Sequence, residues 1–575
     1  MKKFICAAPV LVLFLLVLVF PFLIFVHLFP LGNFLESFLS SVVVTAAFGC
    51  FAVCLIRRSG LILSNLSCLI FFLGMVWCFE SLINGVDWAD LIQIGIYFTI
   101  LMMAAQVALW LNNDRHYYGL VAGLVAVGGL LEGLIAITFH YGLDGGWLSI
   151  WMGHAQDRMT GTIGQANLLA IYIYIAFLST VYLFLKRHIS FGFSILAALF
   201  FGYVIAGSGS RAALGYLVVT LSLLFFFCFK TKEYRLSIRF FCIVLALLLA
   251  LPLYSYVDSV LQPALYDMGY IQRKGLGDMQ RDYAALGFRP SEMHKAFLMF
   301  LDNPILGVGY GRYAVNSFWM GVKYPWAVTE ETLATHSHNI FGQVLAEFGA
   351  VGFLAFFVFV VVLSLKLLKI EKSKEWWLGL SVAAVFSVNA LLEYALWYIH
   401  FAVLLVFFVS PLVGGRCVKK PSGVSILAVI VALCLTCICL IASSLDIYKK
   451  IMRYGSGVND SLQAYDLRIA TSDPLWGRDM QILELSVSTG LANDSDYYEK
   501  VTSSLMGWKP FDLVLIKRLQ VLGVEQKESE LKRIAEALVR MYPSRVNLAR
   551  EYLTKISGIK DTRAEKILNE ILVPI

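Results

Sequence analysis

Apolar runs of roughly twenty residues, the length that crosses about 30 Å of hydrocarbon, recur along the chain between short polar connections. They predict membrane-spanning helices near 4–29, 34–56, 61–83, 88–111, 117–140, 166–185, 189–206, 211–229, 236–257, 340–368, 376–393, 396–414 and 423–444. The first run, "MKKFICAAPVLVLFLLVLVF" and onward, resembles a signal peptide. It continues to about residue 29, too long for a cleaved segment, and is read as a retained first span. Three polar stretches interrupt the pattern: "DGGWLSIWMGHAQDRMTGTIGQAN" at 144–167, a loop at 258–338 and a tail at 445–575. The tail carries amphipathic helical patterns such as "ESELKRIAEALVRMY" and "RAEKILNEIL". It reads as a small all-α domain of stacked, TPR-like helix pairs, although no clean 34-residue period is visible. The expected architecture is an all-α polytopic membrane protein of about thirteen spans. It divides into a transmembrane domain over 1–444, including loop 258–338, and a helical domain over 445–575.

Composition agrees with that pattern. The 575 residues are 59% hydrophobic and 15% charged, with mean hydropathy +0.76, whereas soluble chains carry about 25% charged residues. The net charge of +7 reflects basic loops and does not point to nucleic acid. Lys2–Lys3, Arg57–Arg58, "NNDRH", "KRH", "KTKEYR", "KIEKSK" and "RCVKK" all fall on one side when every predicted span is counted. The positive-inside rule makes that side cytoplasmic. The three polar stretches then face outward, where ATP is absent. Ten of the eleven cysteines lie in apolar segments and Cys417 in a basic loop, so neither a disulfide framework nor a zinc spacing is implied.

The outward set of charged groups is Arg158, Arg211, Arg289, His336, His338 and Glu393. Such groups beside membrane spans are costly unless paired, solvated or used. Converging arginines suit an anionic group, because a guanidinium offers bidentate geometry to phosphate oxygens; the plain alternatives are interfacial anchoring and surface ion pairs. In "THSHNIFGQVLAEFGAVG", Asn339, Gln343 and Glu347 repeat at i, i+4 and i+8, a polar stripe expected to face a cavity. A histidine at its outer end can be neutral near physiological pH and act as a general base. The alternatives are a structural histidine or a metal ligand. Zinc would need a third protein ligand, and His154 and His294 stand in no familiar spacing. "GVGYGR" lacks the strand–helix context of a nucleotide site, and no phosphate-binding Gly-x-x-x-x-Gly-Lys-[Ser/Thr] motif is present.

Four stretches resemble one superfamily. "GTIGQANLLA" resembles a Gly-x-x-Gly-Gln-Pro-Asn motif with Ala166 in place of proline, and "SGSRAALGYL" a Ser-Arg motif. "DNPILGVGYGRY" followed by "HSHNIFGQVLAEFGAVG" resembles the large-loop signature of O-antigen ligases and polymerases. "LLEYALWYIHF" is similar to the Leu-Glu-Tyr-Pro-Leu-Trp-Tyr segment of bacterial O-linked oligosaccharyltransferases of the PglL type, with Ala395 in place of proline.

The resemblance covers about 150–410. It implies transfer of a preassembled glycan from undecaprenyl pyrophosphate to a Ser or Thr hydroxyl of a periplasmic protein such as a pilin. The enzyme would be multi-pass in the bacterial inner membrane, with its site and tail in the periplasm. In that scheme Arg211, Arg289 and Arg158 stabilise the departing pyrophosphate, His338 is the base and His336 its reserve. Gln165, Asn167 and Asn339 contact substrate, and Glu393 contacts substrate or positions an arginine. Attack opposite the leaving group inverts the anomeric centre, and no metal or other cofactor is required. The rivals are O-antigen ligation to lipid A-core, O-antigen polymerisation and, from a different class, transport. A transporter would show inverted repeats and charges deep in broken helices, and neither pattern is seen.

Overall fold

The computed structural model describes residues 7–27, 34–56, 61–112, 116–144, 158–232, 234–270, 289–328, 332–418, 444–447, 449–450, 467–473, 475–488, 494–554 and 570–571. A backbone in hydrocarbon must satisfy its own polar groups, and the long apolar runs accordingly form helices. Ten described helices are long and apolar enough to cross a membrane. They are α2 (Phe34–Ile56), α3 (Asn65–Ile83), α4 (Trp88–Leu111), α5 (Tyr117–His140), α6 (Ala166–Leu185), α7 (Phe191–Ser208), α8 (Ala212–Thr231), α9 (Tyr234–Asp267), α12 (Ile340–Lys369) and α13 (Lys374–Leu392). Two more apolar helices, α1 (Ala7–Leu18) and α14 (Ile399–Val413), are shorter. The architecture is all-α and polytopic.

Three expectations change, and a fourth falls outside the described residues. The first run is helical only to Leu18 and then turns through Phe20–Phe22, with Pro21 at the start of that turn. The run at 61–83 begins as a strand, β1 (Leu61–Ser64), which pairs antiparallel with β2 (Gly415–Val418). Among the described residues that ribbon is the one departure from helix that the all-α reading missed, and Gln106 caps it by bonding Ser64 N and Ile62 O. Helix α9 runs ten residues past the expected 257, to Asp267, with Pro252 and Pro263 inside it. The expected span at 423–444 lies, apart from Ser444, outside the described residues.

Helix α6 is the central post. Its apolar window is 94% buried, so it meets protein on every side, and it packs against α5, α7 and α13. One end of the bundle gathers cations: Lys186 pairs with Glu375 at 2.5 Å, Lys374 caps the Leu185 carbonyl at 2.8 Å, Lys230 and Lys369 stand in the last turns of their helices, and Arg416 lies in β2. The opposite end carries 158–165, 209–211 and 393–398.

Two loop helices, α10 (Arg289–Asp302) and α11 (Tyr313–Lys323), cover that second end. The turn between them clamps a break in α12. At Gly349 the backbone leaves helical geometry (φ 59°, ψ −158°), freeing carbonyls and amides of the adjacent turns. They find partners in the loop: Val308 N donates to Ala346 O (2.8 Å), Gly309 N to Glu347 O (3.0 Å), Ala350 N to Pro304 O (2.8 Å) and Val351 N to Ile305 O (3.2 Å). The approach is close enough that a Cβ on Gly307 or on Gly349 would come within 2.4 Å of backbone atoms across the contact.

The tail helices are α15 (Gly477–Val487), α16 (Ser495–Met506), α17 (Asp512–Val524), α18 (Glu528–Met541) and α19 (Val546–Thr554). They form a second apolar core that includes Phe318 of α11. Arg478 binds Asp90 (2.5 Å) and Asp87 (3.1 Å) at the start of α4, so the tail rests on the same end as the loop.

Gly349→Ala adds the strain of a side chain in a positive-φ region essentially reserved for glycine, about 1–3 kcal/mol, to a backbone clash. Gly85→Ala (φ +59°, nothing within 4 Å) adds the strain alone. Thermal unfolding in detergent should show Gly349→Ala several degrees below Gly85→Ala; equal midpoints would refute the clamp.

Candidate active site

The site is built from the last turn of α13 outward. Asn389 is fully buried there, and its side chain reaches both ways. Nδ2 donates to the Tyr216 hydroxyl of α8 (2.8 Å) and Oδ1 accepts from Ala395 N (3.2 Å). Proline at 395 could not donate that bond, so the alanine is tied in chemically. At Ala166, the first position of α6, the N–H is one that a helix leaves unpaired in any case. Glu393 N donates to Asn389 O at 2.6 Å, and Glu393 itself is extended (φ −151°, ψ −169°), leaving the helix with its carboxylate buried.

Four groups from distant segments meet that carboxylate or its first neighbours. Oε1 accepts from Nη2 of Arg289, at the start of α10, and from Nδ2 of Asn167 (2.6 Å), in the first turn of α6. Oε2 lies 3.5 Å from His338 Nδ1. Asn167 Oδ1 in turn accepts from Arg158 Nη2 (2.9 Å), whose Nε caps the Ser208 carbonyl at the end of α7 (2.6 Å). A continuous polar chain therefore runs from α7 through Arg158, Asn167 and Glu393 to Arg289 and His338.

The histidines are fixed by the start of α12. Asn339 is its N-cap: Oδ1 accepts from Gly342 N (3.0 Å) and Nδ2 donates to Leu391 O (3.1 Å). Ser337 N donates to Gln343 Oε1 at 2.7 Å. Between them His338 takes φ 55°, a left-handed conformation that is uncommon outside glycine and held only where surroundings over-determine it. The His336 ring lies 4.3 Å from that of His338 and 3.7 Å, edge-on, from Tyr394. The Tyr394 hydroxyl accepts from Gln165 Nε2 (2.9 Å). Burial, and then the charge of Glu393, raise the Tyr394 phenol. Burial and the neighbouring His338 push His336 well below its ordinary value, so it is neutral at physiological pH. Its Nδ1 meets Thr335 Oγ1 at 2.9 Å, and its buried Nε2 has no hydrogen-bond partner among the described residues.

Behind the histidines lies a cavity of about 220 Å³, lined by both of them and Tyr394 and reaching to Lys295 and Glu292 of α10. The expected stripe on α12 does not line it. Gln343 and Glu347 are buried against loop backbone, Glu347 Oε1 accepting from Tyr313 N (3.3 Å). Those backbone amides needed acceptors and took them. Arg211 stands exposed at the N-cap of α8, two residues past the α7 cap Gly209.

Sequence reasoning singled out Glu393, Asn167, Gln165, Asn339, the two histidines and the three arginines, and all nine stand at this end. It missed Tyr394, although the residue sits inside a quoted motif. It also missed Asn389, Lys295 and Glu292. The last two look like an i, i+3 surface pair on an amphipathic helix, and only the packing of α10 under the loop buries them.

Residues 195–357 match the family model described as O-antigen ligase. No curated protein matches the chain. The matched segment runs from α7 to α12, taking in Arg211, Arg289 and both histidines but neither 158–167 nor 393–398. It supports a place in the O-antigen ligase superfamily, and with it a membrane-embedded, ligase-like glycosyl transfer.

The depressed His336 makes the site pH-sensitive. Unfolded histidine titrates near 6.5, so below that value the unfolded chain binds a proton that the folded site refuses. Stability is fully present above about pH 6.5 and is lost progressively as pH falls below it. His336→Gln should flatten this slope in thermal-shift measurements, and an unchanged slope would mean that other groups cause it.

Proposed function

We propose that this chain transfers a preassembled glycan from undecaprenyl pyrophosphate to a Ser or Thr hydroxyl of an extracytoplasmic protein such as a pilin. The observation that carries the reading is that Asn167 of "GTIGQANLLA", His338 of "HSHNIFGQVLAEFGAVG" and the loop residue Arg289 converge on the buried carboxylate of Glu393 in "LLEYALWYIHF", at one end of the bundle. The positive-inside rule assigns the cation-rich opposite end to the cytoplasm, which supports a site on the periplasmic face of the inner membrane. There a lipid-linked donor presents its pyrophosphate at the interface, and the leaving group is built into the substrate.

The geometry supports a role for each residue. His338 is the base. Its Nδ1 faces Glu393 at 3.5 Å, so the carboxylate orients the ring and leaves Nε2 for the acceptor's proton, while His336, held well below its ordinary value by burial, makes the weaker base. The acceptor oxygen forms its bond to the anomeric carbon as its proton passes to His338 Nε2. The anomeric C–O bond breaks with its electron pair going to the pyrophosphate, and the centre inverts. Arg289 spends one donor on Glu393 and stays partly exposed. Together with exposed Arg211 it takes the phosphate charge that a divalent cation would otherwise cover. Arg158 already gives Nε and Nη2 to Ser208 and Asn167, so it positions Asn167. The same contacts make Gln165 and Asn167 the ties between α6 and the 393–394 segment, and Asn339 the cap that aims His338. The protein acceptor rests on the resemblance of "LLEYALWYIHF", which the family match does not reach.

The deciding experiment follows the glycan. The chain is expressed in a Gram-negative host that builds lipid-linked glycan but lacks its own ligase, with a pilin-like acceptor supplied, and protein and lipopolysaccharide fractions are probed. Glycan is expected on the pilin; glycan on lipid A-core alone would make the protein a ligase. His338→Ala should lower transfer by about 10²–10⁴-fold, with membrane insertion intact. Arg211→Lys should also fail, because a lysine keeps the charge but loses the bidentate geometry, and full activity would leave Arg211 an interfacial anchor.

A further inference from the structure

The cavity behind the histidines has a built polar floor that the transfer chemistry does not use. Lys295 is 2% exposed and lines the cavity. It donates to Glu292 Oε1 (2.5 Å) and to Ser317 Oγ (3.2 Å). Glu292 is itself completed by the Tyr313 hydroxyl at 2.9 Å. An ammonium has three N–H donors, so one remains without a partner among the described residues, on a buried side chain at the cavity wall. An unused buried donor is costly unless something arrives to accept from it.

Three features define what arrives. Glu292 balances the Lys295 charge, so an uncharged oxygen acceptor fits better than a second carboxylate. The flanking walls, Phe318 and Met541, are apolar. The volume of about 220 Å³ is below the roughly 300–1,000 Å³ of sites for drug-sized ligands, which suits one amide-bearing group and not an oligosaccharide. None of Arg158, Arg211 and Arg289 lines the cavity, whereas the loop residues Thr332, Leu333, Ala334 and Thr335 do. Met541 belongs to α18, so the tail supplies part of the wall.

We infer that this cavity is the acceptor subsite, holding the amide-bearing group next to the hydroxyl that receives the glycan, with Lys295 donating to its oxygen and Met541 closing one wall. The inference rests on the polypeptide-acceptor reading above. Lys295 and Glu292 would then be specificity-determining residues, and the tail a contributor to the site.

The test uses the full-length protein in detergent, with lipid-linked glycan and the pilin-like acceptor, and measures KM for each substrate. Ala334→Trp fills the cavity from a half-buried loop position and leaves the buried pair untouched. It should raise the acceptor KM about tenfold or more, with donor KM and thermal midpoint unchanged. Lys295→Met should move the acceptor KM in the same direction; if it does not fold, Ala334→Trp decides alone. An acceptor KM within twofold of wild type in Ala334→Trp, or an equal rise in donor KM, overturns the subsite while leaving protein glycosylation standing. Wild-type transfer to lipid A-core with none to protein removes the underlying reading and the subsite with it.

Discussion

The carboxylate of Glu393 is removed from water, and it is tolerated there because a guanidinium, a carboxamide and an imidazole replace the lost hydration. Taking one partner from such a cluster leaves an uncompensated buried charge, typically a loss of about 3–5 kcal/mol. The consequence is geometric as much as energetic. Asn167, Arg289 and His338 lie far apart in the chain, and each reaches its position by bonding to the same group. Helix ends otherwise free to fray are thereby held in one arrangement, with the Arg158–Ser208 contact extending it to α7.

The broken helix α12 serves that arrangement. A continuous helix from Ile340 would pass the loop turn with no backbone group to offer it. Instead the break at Gly349 exposes carbonyls and amides that the 304–309 turn pairs one by one. Unsatisfied backbone groups at membrane depth are tolerated only where they are re-paired, so loop and break stabilise each other. The glycines of "GVGYG" take positive φ at Gly307, Gly309 and Gly311, which accounts for a glycine-rich string that has no strand–helix context for a nucleotide.

Much of this was legible in the residues, for a physical reason. Hydrocarbon imposes a length and a polarity on whatever crosses it, so the spans of α2 to α8 are visible as twenty-residue apolar runs. Element ends are less constrained: nothing in "LILS" distinguishes a strand from the start of a helix until 415–418 arrives to pair with it. Charged residues at the mouths of spans pointed to the candidate site, because such groups are costly there without a task. What could not be read was pairing at long range. Asn167 meets Glu393 across 226 positions, and Lys295 looks like a surface residue until α10 is laid beneath the loop.

The tail enters the same argument through packing. Phe318 leaves the loop to join the apolar core of α16–α19, and its helix α11 is also the helix whose Ser317 supports Lys295. Tyr313, in the first turn of that helix, gives its hydroxyl to Glu292 and its backbone N–H to Glu347 of α12. One short helix thus binds the tail, the cavity floor and the broken span that carries His338. Because Arg478 and Gln93 fasten the tail separately to α4, α11 is held from both sides. Displacing the tail would therefore move the floor of the cavity relative to the histidines, so tail docking and site geometry form one mechanical unit.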